Sequence, residues 1–204
     1  MMTLHPVDQL LQEIERYLAG LDYCGKGDVQ AGLARWRHGA PRPVTPAAVP
    51  PCAYLPQALA AIQDRALADA IASALPLLRW TTYSPYRREE IGAAFADGHA
   101  FASLIGEDAF RHADDFDLGL FIIAPGVLYP DHHHAAPELY APLTGPHDWR
   151  FLPDEAWRQL PAGTPVWNAP WAPHATRTGD VPFLCIFCWT RDVSVPAQVI
   201  AGRG

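Results

Sequence analysis

Lysine is almost absent from this chain: Lys26 is the only lysine among 204 residues, and the other basic side chains are scattered arginines. The formal net charge is −7, so no basic stripe is available for a phosphate backbone, and nucleic acid is not an expected partner. Reactions that proceed through a lysine Schiff base are nearly excluded for the same reason. Neither class of function is therefore expected.

Long apolar runs are also missing. The longest is far shorter than the roughly 20 residues that cross a bilayer, so no membrane association is expected. The first twenty residues lack both the basic start and the uninterrupted apolar stretch of a signal peptide, which predicts a cytoplasmic protein. With half of its residues apolar and 18% charged, the chain suits one globular domain, with or without a helical extension.

The chain has four cysteines, of which Cys185 and Cys188 show the C-x-x-C spacing of redox and zinc sites. These two lie in the run FLCIFCW, which is typical of a buried strand. Residues three apart in a strand point to opposite faces of the sheet. We therefore expect ordinary core cysteines in a reducing compartment.

Residues 1–80 are predicted to form an N-terminal helical extension. Apolar residues recur at helical spacing over about 10–21, and Asp28 is expected to cap a second helix that ends at Arg37. A third helix is predicted over about 57–75. Because these helices carry an apolar face, they are expected to pack on one flank of the rest of the chain.

Residues 81–204 are predicted to form β-structure that carries the functional site. Short β-prone runs alternate with Gly, Pro and Asp, which is typical of an antiparallel sandwich or barrel. The fold class is therefore expected to be mainly β. The runs are 101–105, 118–124, 127–131, 138–143, 165–168 and 183–190.

Three contiguous histidines, residues 132–134, form the centre of the predicted site. In an extended segment His132 and His134 share one face while the residue between them points away. After a short turn, Glu138 and Tyr140 repeat the two-residue spacing on the strand that is expected to pair with the first. Two imidazoles and a carboxylate from such a hairpin are three ligands of a divalent transition-metal site with open positions.

These residues stand in a longer frame, G-x5-H-x-H-x3-E-x6-G, which runs from Gly126 to Gly145. A histidine run alone could equally be a solvated loop, but the frame resembles the first motif of the cupin superfamily at every fixed position. The second cupin motif, usually P-x-G-x-x-H-x3-N, is matched only by His174, and Thr178 occupies the asparagine position. The resemblance implies a cupin barrel (double-stranded β-helix or jelly roll). The predicted metal-binding set is then His132, His134, Glu138 and His174.

Within the cupins, the string YPDHHHAAPELY at residues 129–140 resembles the bacterial dimethylsulfoniopropionate lyases of the DddQ type. The lead-in at 78–106 and the strand CWTR at 188–191 resemble theirs as well, so the resemblance covers about residues 78–191, with the helical extension in outline. It implies a lyase that splits dimethylsulfoniopropionate, a small zwitterion, into dimethyl sulfide and acrylate.

The same resemblance implies roles for individual residues. Tyr129 and Tyr140 would be the catalytic tyrosines, Trp189 an aromatic wall of the pocket, and His132 either a ligand or a group just behind the ligands. One divalent transition metal is expected, and the ligand types suit Zn, Fe(II), Mn or Co alike. The ligands implied are His134, Glu138, Tyr140 and His174.

The chemistry of this substrate accounts for a tyrosine beside a metal. Loss of the sulfide requires a proton to leave the carbon next to the carboxylate, and a metal bound to that carboxylate would stabilise the charge that develops. A tyrosine with its ordinary pKa of about 10 is mostly protonated at neutral pH, but a neighbouring dication favours tyrosinate. Tyr140, which shares a face with Glu138, is the first candidate for the base, and Tyr129 is the alternative.

The sulfonium end of the substrate resembles a quaternary ammonium ion. Aromatic faces bind such cations at about 0.5–2 kcal/mol per contact, so aromatic walls are expected around it. Trp189 shares one face of its predicted strand with residues 183, 185 and 187, which could be the pocket side. The candidate walls are Trp189, Trp80, Tyr83 and Tyr129.

Other functions stay open at this point. The same ligands serve Fe(II) dioxygenases and isomerases, because the cupin fold does not fix the reaction. A non-catalytic small-molecule-binding cupin is a further alternative, although residues 1–80 contain no basic helix-turn-helix of a DNA-binding sensor and storage cupins commonly lose the ligands. A related lyase with another substrate is also open. A homodimer is possible, since cupins often pair through sheet edges.

Overall fold

The computed structural model of the protein describes residues 4–200. The ends of the two predicted regions, residues 1–3 and 201–204, lie outside the described part. Helices come first, and two short 3₁₀ helices cover Pro50–Tyr54 and Leu75–Leu77. The α-helices are α1 (Pro6–Ala19), α2 (Lys26–Trp36), α3 (Leu55–Ala61), α4 (Arg65–Ala74), α5 (Arg88–Ile91) and α6 (Ala93–Gly98).

Helix α1 follows the predicted apolar spacing, whereas the start of α2 was predicted wrongly. Gly25 precedes α2 with a φ of 74°, a left-handed conformation that glycine adopts without steric cost. The helix therefore begins three residues earlier than predicted, and Asp28 lies in its first turn instead of capping it. The buried face of α1 consists of Val7, Leu10, Leu11, Ile14 and Leu18, and each such side chain stabilises the fold by roughly 1.5–3 kcal/mol.

The single helix predicted over 57–75 is in fact two helices, α3 and α4. The carboxylate of Asp64 accepts a hydrogen bond from the backbone N–H of Leu67 at 3.1 Å, which caps the start of α4. The same carboxylate accepts two hydrogen bonds from the guanidinium of Arg16, each 2.8 Å long. The chain breaks here because Asp64 serves both as a cap and as a partner of α1.

Eleven strands follow within the described residues, and they form two sheets. Neighbouring strands are antiparallel except for the parallel pair β1–β2. The six-stranded sheet has the order β2-β1-β3-β10-β5-β8, and the five-stranded sheet has the order β11-β4-β9-β6-β7. The strands are β1 (His99–Gly106), β2 (Arg111–His112), β3 (Asp117–Ile123), β4 (Leu128–His133), β5 (Glu138–Pro142), β6 (His147–Arg150), β7 (Arg158–Leu160), β8 (Val166–Asn168), β9 (His174–Arg177), β10 (Phe183–Trp189) and β11 (Gln198–Val199).

The six-stranded sheet is buried on both faces. On β10, Ile186 and Cys188 point outward into the core that the sheet shares with α1–α4. Cys185 and Phe187 point inward, where they pack with residues of the five-stranded sheet. The two cysteines are therefore core residues on opposite faces of one strand, as the residue alternation predicts.

Two facing sheets with helices on one flank confirm the predicted mainly-β cupin jelly roll and its helical extension. The sheets are separate in their hydrogen bonding, so the architecture is a sandwich and not a continuously bonded barrel. All six predicted runs are strands, and the remaining short strands were not anticipated. Among residues 4–200, no helix combines the length and the apolar character that a membrane span needs.

The turn between β3 and β4 links the two sequence motifs. Gly126 adopts a φ of 70° there, which explains a glycine at this position. The hydroxyl of Thr178 accepts a hydrogen bond from Val127 N at 2.7 Å and donates one to the carbonyl oxygen of Ala124 at 2.8 Å. Thr178 replaces the asparagine of the second motif, and its two hydrogen bonds hold that motif against the chain around Gly126, where the first motif begins.

Candidate metal centre

Three buried imidazoles meet between the sheets. His132 lies on β4 directly opposite His174 on β9, and His134 follows the end of β4. Each of the three side chains belongs to a residue that is at most 2% exposed. Their candidate ligand atoms all lie within 4.8 Å of one another. His133 points away, and its ring packs against Trp171.

The three rings are held in a common orientation by the backbone. Nδ1 of each imidazole lies 2.7, 2.8 or 2.9 Å from the carbonyl oxygen of a residue two positions away. Because a carbonyl oxygen only accepts, Nδ1 of each ring carries a hydrogen, and Nε2 of His132 and of His174 keeps its lone pair. This arrangement of a backbone-bonded Nδ1 is the one that prepares Nε2 as a metal ligand.

Two of these nitrogens have no hydrogen-bond partner within the described residues. Nε2 of His132 and Nε2 of His174 are buried and unpaired. A buried polar atom left without a partner costs about 1–3 kcal/mol. A divalent transition metal would coordinate both atoms, so the donor set fits such an ion.

A carboxylate closes the cluster from the opposite sheet. Oε2 of Glu138 lies 3.1 Å from Nε2 of His134 and 3.3 Å from Nε2 of His174, and accepts a hydrogen bond from Asn168 at 3.1 Å. The contact with His174 is close but lacks the alignment of a hydrogen bond. Oε1 accepts a hydrogen bond from the indole N–H of Trp189 at 2.6 Å.

The predicted hairpin between the two ligand segments is wrong. β4, with His132, pairs with β9 and β11, whereas β5, with Glu138, pairs with β10 and β8 in the other sheet. The four residues between the two strands carry the chain across the sandwich. The histidines and the carboxylate therefore approach each other face to face and not side by side.

Glu138 supplies the negative charge of this cluster. Burial lowers the pKa of His132 well below its ordinary value, and His174 and His134 add to this. Burial also acts to lower the pKa of His134, but Glu138 outweighs it and leaves that pKa raised. Although burial opposes ionisation of Glu138, the neighbouring histidines hold its pKa well below the usual range, so the carboxylate is charged.

Both candidate tyrosines lie inside the sandwich. Tyr140 follows Glu138 on the inner face of β5, and its ring centroid is 6.3 Å from that of His174. Tyr129 stacks on His132 with ring centroids 3.7 Å apart. Burial raises the pKa of both phenols well above the ordinary value. The charge of Glu138 raises the pKa of Tyr140 further, and the nearby Tyr86 raises that of Tyr129 further.

A cavity of about 130 Å³ opens beside the cluster. Tyr129, Tyr140 and Glu138 reach its surface, so both predicted base candidates and two of the predicted ligands, Glu138 and Tyr140, face the same space. A larger cavity of about 330 Å³ adjoins it. The other aromatic side chains that line the first cavity include Tyr83, Phe95, Phe101, Phe121, Phe187 and Trp189.

Three of the four predicted walls, Trp189, Tyr83 and Tyr129, line this cavity, and one does not. Trp80 is buried in the other core, between the helices and the outer face of the six-stranded sheet. Its expected role as a pocket wall is inconsistent with this position. Tyr83 is held by two hydrogen bonds: its N–H donates to Nε2 of His99 at 2.9 Å, and its hydroxyl accepts from the N–H of Ala197 at 2.8 Å.

Several residues at the site were not anticipated from the sequence. Tyr86 shares a 2.7 Å hydrogen bond between its hydroxyl and that of Tyr129, and it lies in a segment without a periodic pattern that could have indicated it. Asn168 does have a signal: it is a polar residue at an inward position of the short buried strand β8. Asp117 is the second carboxylate at the surface of the cavity.

The chain matches the family model described as dimethylsulfoniopropionate lyase over residues 34–185. It is 32% identical over 155 residues to the dimethylsulfoniopropionate lyase DddQ of Ruegeria pomeroyi, which covers 75% of this chain and 76% of the relative. The similarity thus includes both motifs and the residues between them.

Solved structures agree with this match. The crystal structure of the lyase DddQ from Ruegeria pomeroyi DSS-3 superposes with a TM-score of 0.75 at 28% identity, covering 98% of this chain and 100% of that one. A structure described with the lyases RdDddP and RnDddQII superposes with a TM-score of 0.73 at 21% identity, covering 96% and 98%, and supports the fold alone. The similarity extends over the helices as well as the sheets.

Proposed function

The chain belongs to the dimethylsulfoniopropionate lyase family, and on that premise we propose that it splits dimethylsulfoniopropionate into dimethyl sulfide and acrylate in the cavity beside the histidine cluster. One observation carries the proposal: a charged carboxylate that contacts the cluster of three oriented imidazoles faces, together with two tyrosines, one aromatic-lined cavity. The zwitterionic substrate has an anionic end for the cluster and a cationic end for the aromatic faces.

We assign the metal ligands to His132, His134, His174 and Glu138. The two unpartnered Nε2 atoms and the low pKa of Glu138 support this assignment. The sequence left open whether His132 is a ligand or a supporting group. We include it because its candidate ligand atom lies within 4.8 Å of those of the other two histidines. A divalent ion held there would act as a Lewis acid for the substrate carboxylate and would favour the tyrosinate form of Tyr140.

Tyr140 is the proposed base, and it also remains a candidate ligand. It accepts the proton from the carbon next to the substrate carboxylate. The electrons of that C–H bond form the new double bond, and the electron pair of the broken C–S bond leaves with dimethyl sulfide. The position of Tyr140 two residues after Glu138, on the same inner face, supports this role.

Tyr129 is less suited to be the base, because its hydroxyl is already engaged in a 2.7 Å hydrogen bond with that of Tyr86. Tyr129 also packs flat against His132 and keeps that ring in place. It therefore stays the alternative base, and its first proposed role is to orient the ligand.

The aromatic walls bind the sulfonium end and exclude water. Trp189 is fixed by its hydrogen bond to Glu138, and its ring centroid is 4.6 Å from that of His134. Tyr83 packs edge-on to Trp189, with ring centroids 6.4 Å apart. Such faces attract a sulfonium ion as they attract quaternary ammonium ions.

The test is release of dimethyl sulfide into the headspace by purified, metal-loaded protein supplied with dimethylsulfoniopropionate. We expect dimethyl sulfide and acrylate in equal amounts, loss of both after chelation, recovery on adding metal back, and no oxygen uptake. A His134→Ala variant should bind less metal and lose the activity. Metal-loaded protein that releases no sulfide would contradict the proposed substrate, and oxygen consumption would favour a dioxygenase.

The identity of the metal, the cellular location and the oligomeric state are further parts of the proposal. The ligand types suit zinc, Fe(II) or manganese, and elemental analysis of protein purified without added metal separates these ions. A cytoplasmic location is supported by four free thiols, which are typical of a reducing compartment. A homodimer is tested by light scattering.

A further inference from the structure

Asp117 and Glu138 are aligned in the six-stranded sheet, on two strands that flank the same residue of β10. Asp117 lies opposite Trp189 on β10, and Trp189 in turn lies opposite Glu138 on β5. Phe121 and Ile123, at even spacing from Asp117 on β3, point into the sandwich, so Asp117 points inward too. Neighbouring strands are about 4.8 Å apart, which puts the backbones of the two acidic residues roughly 10 Å from each other with the tryptophan between them.

The Asp117 carboxylate has no positive partner in the part of the chain that the structure describes. Its Oδ1 is buried and without a hydrogen-bond partner, and no arginine, lysine or histidine of residues 4–200 forms an ion pair with it. Burial raises its pKa to about 7, partly offset by the hydroxyl of Ser103. A carboxylate with one buried, unpaired oxygen is costly and calls for a compensating interaction.

The surroundings of Asp117 suit an organic cation. It lies at the surface of both cavities, together with Tyr83 and Phe101, and therefore at their junction. Phe187 and Trp189 complete an aromatic surface beside it. Aromatic faces with a nearby carboxylate are a favourable environment for a cation that cannot donate hydrogen bonds.

We infer that Asp117 is the counter-charge for the sulfonium group, so that the substrate extends across Trp189 from the histidine cluster to Asp117. This inference rests on the proposed function and adds a residue that selects the substrate. The two carboxylates of the cavity then have different roles. Glu138 helps to bind the metal that holds the anionic end of the substrate, and Asp117 attracts the cationic end. Ligands with a carboxylate but no cation gain nothing from Asp117.

The test compares Asp117→Asn with Asp114→Asn, which makes the same change of charge at an exposed residue outside the cavity. For Asp117→Asn we expect the KM for dimethylsulfoniopropionate to rise roughly tenfold or more while kcat changes less than about threefold. Inhibition by trimethylsulfonium should weaken by a similar factor, whereas inhibition by acrylate, which has no cation, should not change. Asp114→Asn should resemble the unsubstituted protein in every measurement.

A folded Asp117→Asn protein with unchanged KM and unchanged trimethylsulfonium inhibition would overturn the inference. If that variant does not fold, Asp117→Ser, which is neutral and smaller, makes the same comparison. Calorimetric titration with trimethylsulfonium measures the cation site without turnover. If the unsubstituted protein releases no dimethyl sulfide, the proposed function is contradicted. If it is active and Asp117→Asn leaves the KM unchanged, this inference alone is contradicted.

Discussion

The indole of Trp189 donates a 2.6 Å hydrogen bond to Oε1 of Glu138, which joins the wall of the cavity to the carboxylate of the histidine cluster. The other oxygen of that carboxylate accepts from Asn168 and faces the histidines. The tryptophan therefore has two tasks, one as an aromatic face and one as a donor that orients Glu138. These two tasks can be separated by substitution.

Trp189→Phe should keep an aromatic face and lose the donor. Removing a hydrogen-bond partner of a metal ligand typically lowers metal affinity by about 10- to 100-fold. We expect a loss in that range, measured by competition with a chelator, together with lower activity at limiting metal. Trp36→Phe, on α2, is the matched control. Unchanged metal affinity in Trp189→Phe would show that the hydrogen bond does not support the site.

Tyr140→Phe should abolish turnover while leaving the fold intact, because the phenyl ring still fills the buried position. Loss of a general base typically lowers kcat by about 10²- to 10⁴-fold. The measurement is the rate of dimethyl sulfide release at saturating metal, with metal content determined on the same sample. Tyr54→Phe, at a largely exposed tyrosine, controls for the substitution itself. A Tyr140→Phe protein that retains most of its activity would exclude this residue as the base.

Tyr86→Phe discriminates between the two candidate bases. It removes the hydroxyl that forms the 2.7 Å hydrogen bond with Tyr129 and leaves the hydroxyl of Tyr140 in place. If Tyr140 is the base, we expect kcat to change by no more than about tenfold, through the position of Tyr129 and the His132 ring that it contacts. A loss as large as that of Tyr140→Phe would transfer the role of base to Tyr129.

The sequence predicts this site well where the information is local. The alternation within β10 correctly separates Cys185 from Cys188, because each residue's face follows from its place in the strand. The frame from Gly126 to Gly145 marks the two ligand segments. Gly145 is required because a Cβ there would lie 2.7 Å from the backbone nitrogen of Ala162.

What the sequence does not predict depends on contacts between distant segments. The turn after His134 reads as a hairpin, yet the chain crosses between the sheets, because the pairing of β4 with β9 is decided some 40 residues downstream. Trp80 looks like any other aromatic residue near the barrel, and only packing shows that it belongs to the helical core. Asp117 likewise gives no local sign of its place at the cavity surface.

His147, a buried histidine outside the site, makes the stability of the fold sensitive to acid. His147 is 2% exposed; its Nδ1 accepts from the N–H of Gly179 at 3.3 Å, and the hydroxyl of Thr144 lies 3.3 Å from its Nε2. Burial lowers the pKa of His147 from 6.5 to about 4. Between these values the unfolded chain binds more protons than the folded one, so stability falls as the pH drops from about 6.5 to about 4.

His147→Gln should remove this acid sensitivity, because glutamine does not titrate. At about 1.4 kcal/mol per pKa unit, the contribution is at most roughly 3 to 4 kcal/mol of unfolding free energy over that window. We expect the variant to be less stable than the unsubstituted protein at pH 7, and the difference between their melting temperatures to shrink at pH 4.5. His38→Gln, at an exposed histidine, should change neither value. A difference that is the same at both pH values would mean that His147 does not titrate in this range.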